Sequence, residues 1–170
     1  MQQLTMHEAI KPLAWLKGIW RTRENCPGTG KFPTITPFKY HEEINWSSIG
    51  QPMLNYAAKS WDVETKKPLH YEMGFLKIIP DTNKVHLLLS HNFGATTIEE
   101  GIFENKIIKL RSTNIGRPTK GTNLHKVTEI QREFKLIGDC LQHTLYMATE
   151  KTPELHEHVC AVYIRKCDDA

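Results

Sequence analysis

The chain has 170 residues, 39% of them hydrophobic and 24% charged, which is the composition of a globular domain able to bury its own core and not that of a disordered or fibrous segment. Twenty-two Lys and Arg against nineteen Asp and Glu give a net charge of +3, too small and too scattered for a phosphate-binding footprint, so nucleic acid is not an expected partner. No window approaches the ~20 apolar residues of a membrane span and the start carries no signal-peptide pattern, so no membrane partner is expected and the expected setting is cytoplasmic, with the nucleus left open.

In chain order, residues 7–17 form the one helical stretch. Ile10, Leu13, Ala14 and Leu16 make a short apolar face, and Pro12 is tolerable in a first turn, so a short helix or a pair of 3₁₀ turns should cap one end of the fold. Gly18-Ile19-Trp20 then opens a strand. An indole closes a barrel end where a neighbouring glycine lets backbone approach closely. From there, alternating runs are separated by turn signals: residues 38–48, 53–62, 69–79, 85–92, 95–103 and 106–113. Pro80-Asp81-Thr82-Asn83 and Glu104-Asn105 are turns by composition. A Gly, Pro, Thr and Lys-rich loop over 114–123 precedes strands at 124–136, 141–148 and 156–166. The spacing predicts an all-β fold, a ten-stranded antiparallel up-and-down β-barrel of the lipocalin or fatty-acid-binding-protein type, with short N-terminal helical turns. Residues 1–170 read as one domain, with a core of about 12–166.

Cys26, Cys140, Cys160 and Cys167 are irregularly spaced and include no Cys-x-x-Cys pair, so reduced thiols are expected. No Ser-His-Asp order, phosphate-cradling glycine loop or close pair of carboxylates stands out, and Glu99-Glu100 before Gly101 reads as a solvated strand end. His156, His158 and Cys160 stand at i, i+2 and i+4, on one face of a regular strand, where they would suit zinc or copper but lack a fourth ligand. His91-Asn92 before Phe93-Gly94 is equally readable as turn chemistry. His7, His41, His86, His125 and His143 fall in no pattern, and exposure is expected for most of them. Trp20, Trp46 and Trp61 read as packing for the base and wall. A ten-stranded lumen is hard to fill with side chains alone, so it should hold a sizeable apolar ligand over a partly filled base, and a flat macrocycle would fit.

Several blocks in one order resemble the nitrobindins, ten-stranded haem-binding barrels, and in particular the animal form that occurs as a C-terminal domain. These blocks are Pro12-Leu13-Ala14-Trp15, Gly18-Ile19-Trp20, Gly28-Thr29-Gly30-Lys31-Phe32-Pro33-Thr34, Ile49-Gly50-Gln51-Pro52, Lys67-Pro68-Leu69-His70-Tyr71-Glu72-Met73-Gly74-Phe75, Met147-Ala148-Thr149 and the His158 strand. Phe32 stands where the broader family has tyrosine. The resemblance implies haem b, held non-covalently since Cys-x-x-Cys-His is missing, and isomerisation of peroxynitrite to nitrate at ferric haem, with peroxynitrite and NO as small-molecule ligands. It implies His158 as axial ligand and anchor of the reactive iron, with His156 as the alternative, and Thr34 at the porphyrin. Leu69, His70, His91 and Met147 would line the pocket, with His70 as a distal hydrogen-bond donor. A homodimer is compatible with it. The competing reading is a non-catalytic intracellular carrier of fatty acid or another apolar ligand.

Overall fold

The computed structural model describes residues 5–120 and 126–166. A 3₁₀ helix, Glu8–Leu16, leads into β1 (Gly18–Thr22), β2 (Gly28–Phe32), β3 (Ile35–Ser47), β4 (Met53–Asp62), β5 (Pro68–Ile78) and β6 (Lys84–His91). There follow β7 (Ala95–Glu104), β8 (Ile107–Gly116), β9 (Val127–Ile137), β10 (Cys140–Thr149) and β11 (Thr152–Arg165). From β2 onward each strand pairs antiparallel with the next, and both β1 and β2 pair with β3 on one side and β11 on the other. These two short segments are therefore halves of one stave, interrupted at residues 23–27. Eleven segments make a closed barrel of ten staves, as the sequence predicts. Closure leaves no long open edge. No described helix is long and apolar enough to cross a membrane.

The N-terminal cap explains its own geometry. Ile10, Leu13 and Leu16, all fully buried, repeat every third residue, the period of a 3₁₀ helix, so one stripe enters the barrel base. The His7 ring accepts from the Ala9 amide at 3.1 Å and starts the helix. Trp20 beside it is 1% exposed, and its indole N–H donates to the Leu16 carbonyl at 2.7 Å. The Arg165 guanidinium lies 4.3 Å from the same ring and donates to the carbonyls of Trp15 and Lys17. Gly18 takes φ of +128°, a backbone conformation that favours glycine, and its missing side chain lets the Arg165 guanidinium approach, 2.9 Å from where a β-carbon would stand. Trp46, Tyr56 and Phe134 fill the next layer, with ring centroids 4.4 to 6.2 Å apart. The base is thus solid, and the other end is a cup.

Two irregularities shape that cup. Along β10 and β11, Leu145 pairs with Val159 but Tyr146 pairs with Glu157, which leaves His158 as the extra residue of a β-bulge. On the far wall, β8 is registered with β7 as far as Gly116 but with β9 only over residues 107–111.

Candidate functional site

The open end holds two adjoining compartments, of about 280 Å³ and about 340 Å³, that share Phe93, Val127, Met147 and His158. Thr34 lines the outer one, while Leu69, His70 and His91 line the inner one. Of the residues expected at the pocket, His156 alone lines neither. It sits edge-on to Phe32, with ring centroids 5.9 Å apart.

The bulge is what brings His158 in. Inward residues on β10 are His143, Leu145 and Met147, and their partners' row on β11 continues through Val159 and Ala161. Were the strand regular, Glu157 would face the cavity next. The extra residue shifts the parity, so His158 lines the lumen while Glu157 pairs with Lys31 at 3.1 Å. Cys160, register partner of the outward Thr144, falls on the other face, with its sulfur 3.5 Å from the Thr144 hydroxyl. The expected shared face is therefore corrected for Cys160 alone: His156, register partner of the inward Met147, stays on the His158 side, and the alternation is broken between His158 and Cys160.

His158 Nδ1 lies 3.0 Å from the Lys31 carbonyl oxygen. A carbonyl only accepts, so Nδ1 carries the proton and Nε2 keeps its lone pair. Burial lowers the imidazole's affinity for a second proton, against the opposing pull of the Lys31 carbonyl, and the ring is neutral near pH 7. Phe32 and Phe38 meet it edge-on, at 5.8 and 6.3 Å. The Phe38 ring has room because Gly30 carries no side chain, since a β-carbon there would lie 2.1 Å from it, and Gly28 likewise admits Tyr40, 2.5 Å from where its β-carbon would stand. A neutral imidazole with its tautomer fixed by a backbone carbonyl, set in an aromatic wall, is the donor arrangement of a metal-ligating histidine. The residues present thus fit a haem.

Beneath the cavity lies a polar belt that sequence reasoning missed. Arg132, 2% exposed, donates to both oxygens of Glu72 at 2.7 and 3.2 Å and to both oxygens of Glu99 at 3.0 and 3.3 Å. Tyr56 donates to Glu72 at 2.7 Å, and His70 and His91 reach the same carboxylate at 3.2 and 3.1 Å. Burial would push the Glu72 carboxyl up, but Arg132 and the two histidines outweigh it and hold it well below the usual range. His143 stacks on Phe134 at 4.5 Å with Nε2 3.3 Å from Arg132, and burial together with that guanidinium lowers its pKa to about 3. Glu42, which accepts from the Tyr163 hydroxyl, is raised to about 7, chiefly by burial. Among the described residues, the Tyr40 hydroxyl and His143 Nδ1 are buried without a partner.

Three expectations are corrected by this belt. Glu99 is fully buried and not a solvated strand end, although its neighbour Glu100 is exposed. Two carboxylates do stand together, clasped by one guanidinium. His143 is buried inside the barrel, and His41 is buried on its outer face against Trp61, with Nδ1 3.1 Å from the Thr22 hydroxyl, whereas His7 is exposed and His125 lies outside the described residues. His91 serves both expected roles: its carbonyl accepts from the Gly94 amide at 3.0 Å and its ring joins the belt.

Residues 9–165 match the family described as the THAP4-like, heme-binding beta-barrel domain. The chain belongs to that family. It is 37% identical over 159 residues to the human protein named peroxynitrite isomerase THAP4, covering 93% of this chain and 27% of that one. The chain therefore spans about a quarter of that relative's length. A protein of Arabidopsis thaliana named peroxynitrite isomerase Rv2717c is 33% identical, with 92% of this chain and 89% of that one aligned. Peroxynitrite isomerase 2 of Mycobacterium avium is 37% identical over 95% and 97% of the two chains. Among solved structures, Rv2717c from M. tuberculosis superposes with a TM-score of 0.83 at 32% identity, covering 96% of this chain and all of that one. Membership of the haem-binding barrel family bears out the resemblance and the barrel read from the sequence.

Proposed function

We propose that this chain binds haem b non-covalently through His158 and isomerises peroxynitrite to nitrate. The observation that carries the reading is the His158 imidazole, neutral, hydrogen-bonded to the Lys31 carbonyl at 3.0 Å and delivered to the lumen by the β-bulge. The names of relatives that align along nearly their whole length support the reaction. Ferric haem, when bound, supplies the redox-active centre at which an O–O bond is exchanged for an N–O bond in an isomerisation that consumes no co-substrate.

The chain's own residues supply placement and polarity. Phe32, Phe38 and Met147 surround the His158 imidazole and would exclude water from it, and Thr34, on the outer compartment, would help hold the haem. On the opposite wall, His70 and His91 have their ring nitrogens 3.4 Å apart, held by the Glu72 carboxylate, and present the polar face to an incoming anion. Leu69 and Phe93 close the rim beside them.

Haemin titration followed by its visible spectrum tests the site. The wild type should give one equivalent with a sharp Soret band, and His158→Ala should lose it and recover it with added imidazole. Undiminished binding and nitrate yield in His158→Ala would reject the assignment, whereas loss confined to His156→Ala would move it there. The carrier of fatty acids is the second reading, favoured by the apolar cup, and predicts lipid-probe binding without haem uptake. A homodimer and a cytoplasmic setting complete the proposal. Met73 and Phe75 on the outer wall, 52% and 49% exposed, motivate the former, which sedimentation velocity checks.

A further inference from the structure

The belt contains a geometric feature that goes beyond the anion-facing role of His70 and His91. His70 Nε2, His91 Nδ1 and one oxygen of Glu72 form a nearly equilateral triangle, with sides of 3.2, 3.1 and 3.4 Å. Ligand atoms bound at ~2.0–2.1 Å around a tetrahedral ion lie roughly 3.3 Å apart, so this triangle already has the spacing of three corners of such a site. We propose that His70, Glu72 and His91 form a second metal site, separate from the haem ligand, that takes a divalent first-row ion of the zinc, cobalt or copper class.

Four observations argue for a built site. The donor set, two imidazoles and a carboxylate, suits those ions and is poor for calcium or magnesium. The ligands are oriented from behind. His91, bonded to the ion through Nδ1, would carry its proton on Nε2, which stands 3.1 Å from the Thr97 hydroxyl, and that hydroxyl in turn donates to Glu99 at 3.1 Å. Glu72 is fixed by Tyr56 and Arg132. The local charge favours a cation, since two buried carboxylates share the one guanidinium of Arg132. Finally, Phe93 stacks obliquely on both imidazoles, at 5.4 and 5.1 Å, and shields them, while all three ligands line the inner compartment, so the fourth coordination position opens into the cavity that His158 also lines. Three protein ligands and one open position are the pattern of a reactive site and not of a structural one.

The purified chain, first treated with chelator to strip adventitious metal, is titrated with Zn2+ against a chromophoric competitor, and its Co2+ form is read by visible absorption. One equivalent should bind, with the intense d–d bands of a four-coordinate ion. His70→Ala, a half-exposed position, and His91→Gln should each weaken binding at least tenfold, and Thr97→Val should weaken it in the same direction through the orientation of His91. If His91→Gln unfolds, as far-UV circular dichroism would show, His70→Ala alone decides. His158→Ala should leave metal affinity unchanged, which separates this site from the haem ligand whatever the outcome with haemin. Failure to bind a stoichiometric ion overturns the proposal. So does an ion that is retained undiminished in His70→Ala or lost in His158→Ala.

Discussion

Arg132 is held inside the barrel by four charge-assisted hydrogen bonds to Glu72 and Glu99 and by nothing else of opposite charge among the described residues. Such a cluster contributes little against a hydrophobic replacement, but breaking it from one side leaves charge buried and unpaired. Arg132→Met should therefore cost about 3–5 kcal/mol in urea denaturation, and pairing it with Glu72→Gln and Glu99→Gln should recover most of that. Glu42 governs a different observable. Its carboxyl is raised from 4.5 to about 7, so between those values the folded chain keeps a proton that the unfolded chain releases, and stability falls as pH rises through the window. His143, lowered from 6.5 to about 3, has the opposite sign and loses stability as pH falls. The two slopes oppose one another below about pH 6.5. Glu42→Gln, which can still accept from Tyr163, should unmask the His143 slope, and its stability relative to wild type should grow between pH 4.5 and 7 in thermal melts. At this scale the sequence was legible where the family motif spoke and opaque elsewhere. Thr34 lines the outer compartment, His70 and His91 line the inner one, and Met147 and His158 line both. Glu99 was misread because Glu99-Glu100-Gly101 looks like a turn, although the alternation Ala95, Thr97, Glu99 places it on the inward face. Likewise His143 continues the inward row of Leu141, Leu145 and Met147.

The elements themselves follow period-two patterning closely, and the boundaries of β4, β6, β7 and β10 lie within about two residues of those read from alternation. What alternation cannot show is a break in itself. The bulge at His158 and the interrupted first stave arise from pairing between distant strands, and no local signal marks either. That is why Cys160 seemed to share a face with His156 and His158. The glycine motif of β2, by contrast, acquires a specific purpose. Gly30 lies opposite Phe38 and Val159, at the level of the bulge, and its missing side chain is the space into which the Phe38 ring turns beside His158. Gly30→Ala must displace that ring. Overpacking of this kind costs about 1–3 kcal/mol, so haemin affinity should fall by roughly tenfold or more, while far-UV circular dichroism remains that of the barrel.

At the scale of the whole molecule, the barrel divides into a solid base, a charged belt and a cup. Rigidity is unevenly distributed among them. The base closes on fully buried Ile10, Leu13, Leu16, Ile44, Leu54, Leu76 and Leu87, and its strands are paired on both sides. Above Arg111, β8 keeps its ladder with β7 but has no registered partner on β9, and among the described residues side chains replace the ladder: the Ser112 hydroxyl accepts from the Ile130 amide at 2.9 Å, Arg111 pairs with Glu129, and Arg117 donates to the Val127 carbonyl. Native-state hydrogen exchange should accordingly find the amides of 127–129 on β9 released well before those of 133–135, which face a complete neighbour. Arg117 and Val127 stand at the upper end of that gap and also line the outer compartment. A hoop laced by backbone below and by side chains above yields first at the lip that holds its cargo, while the floor keeps its shape.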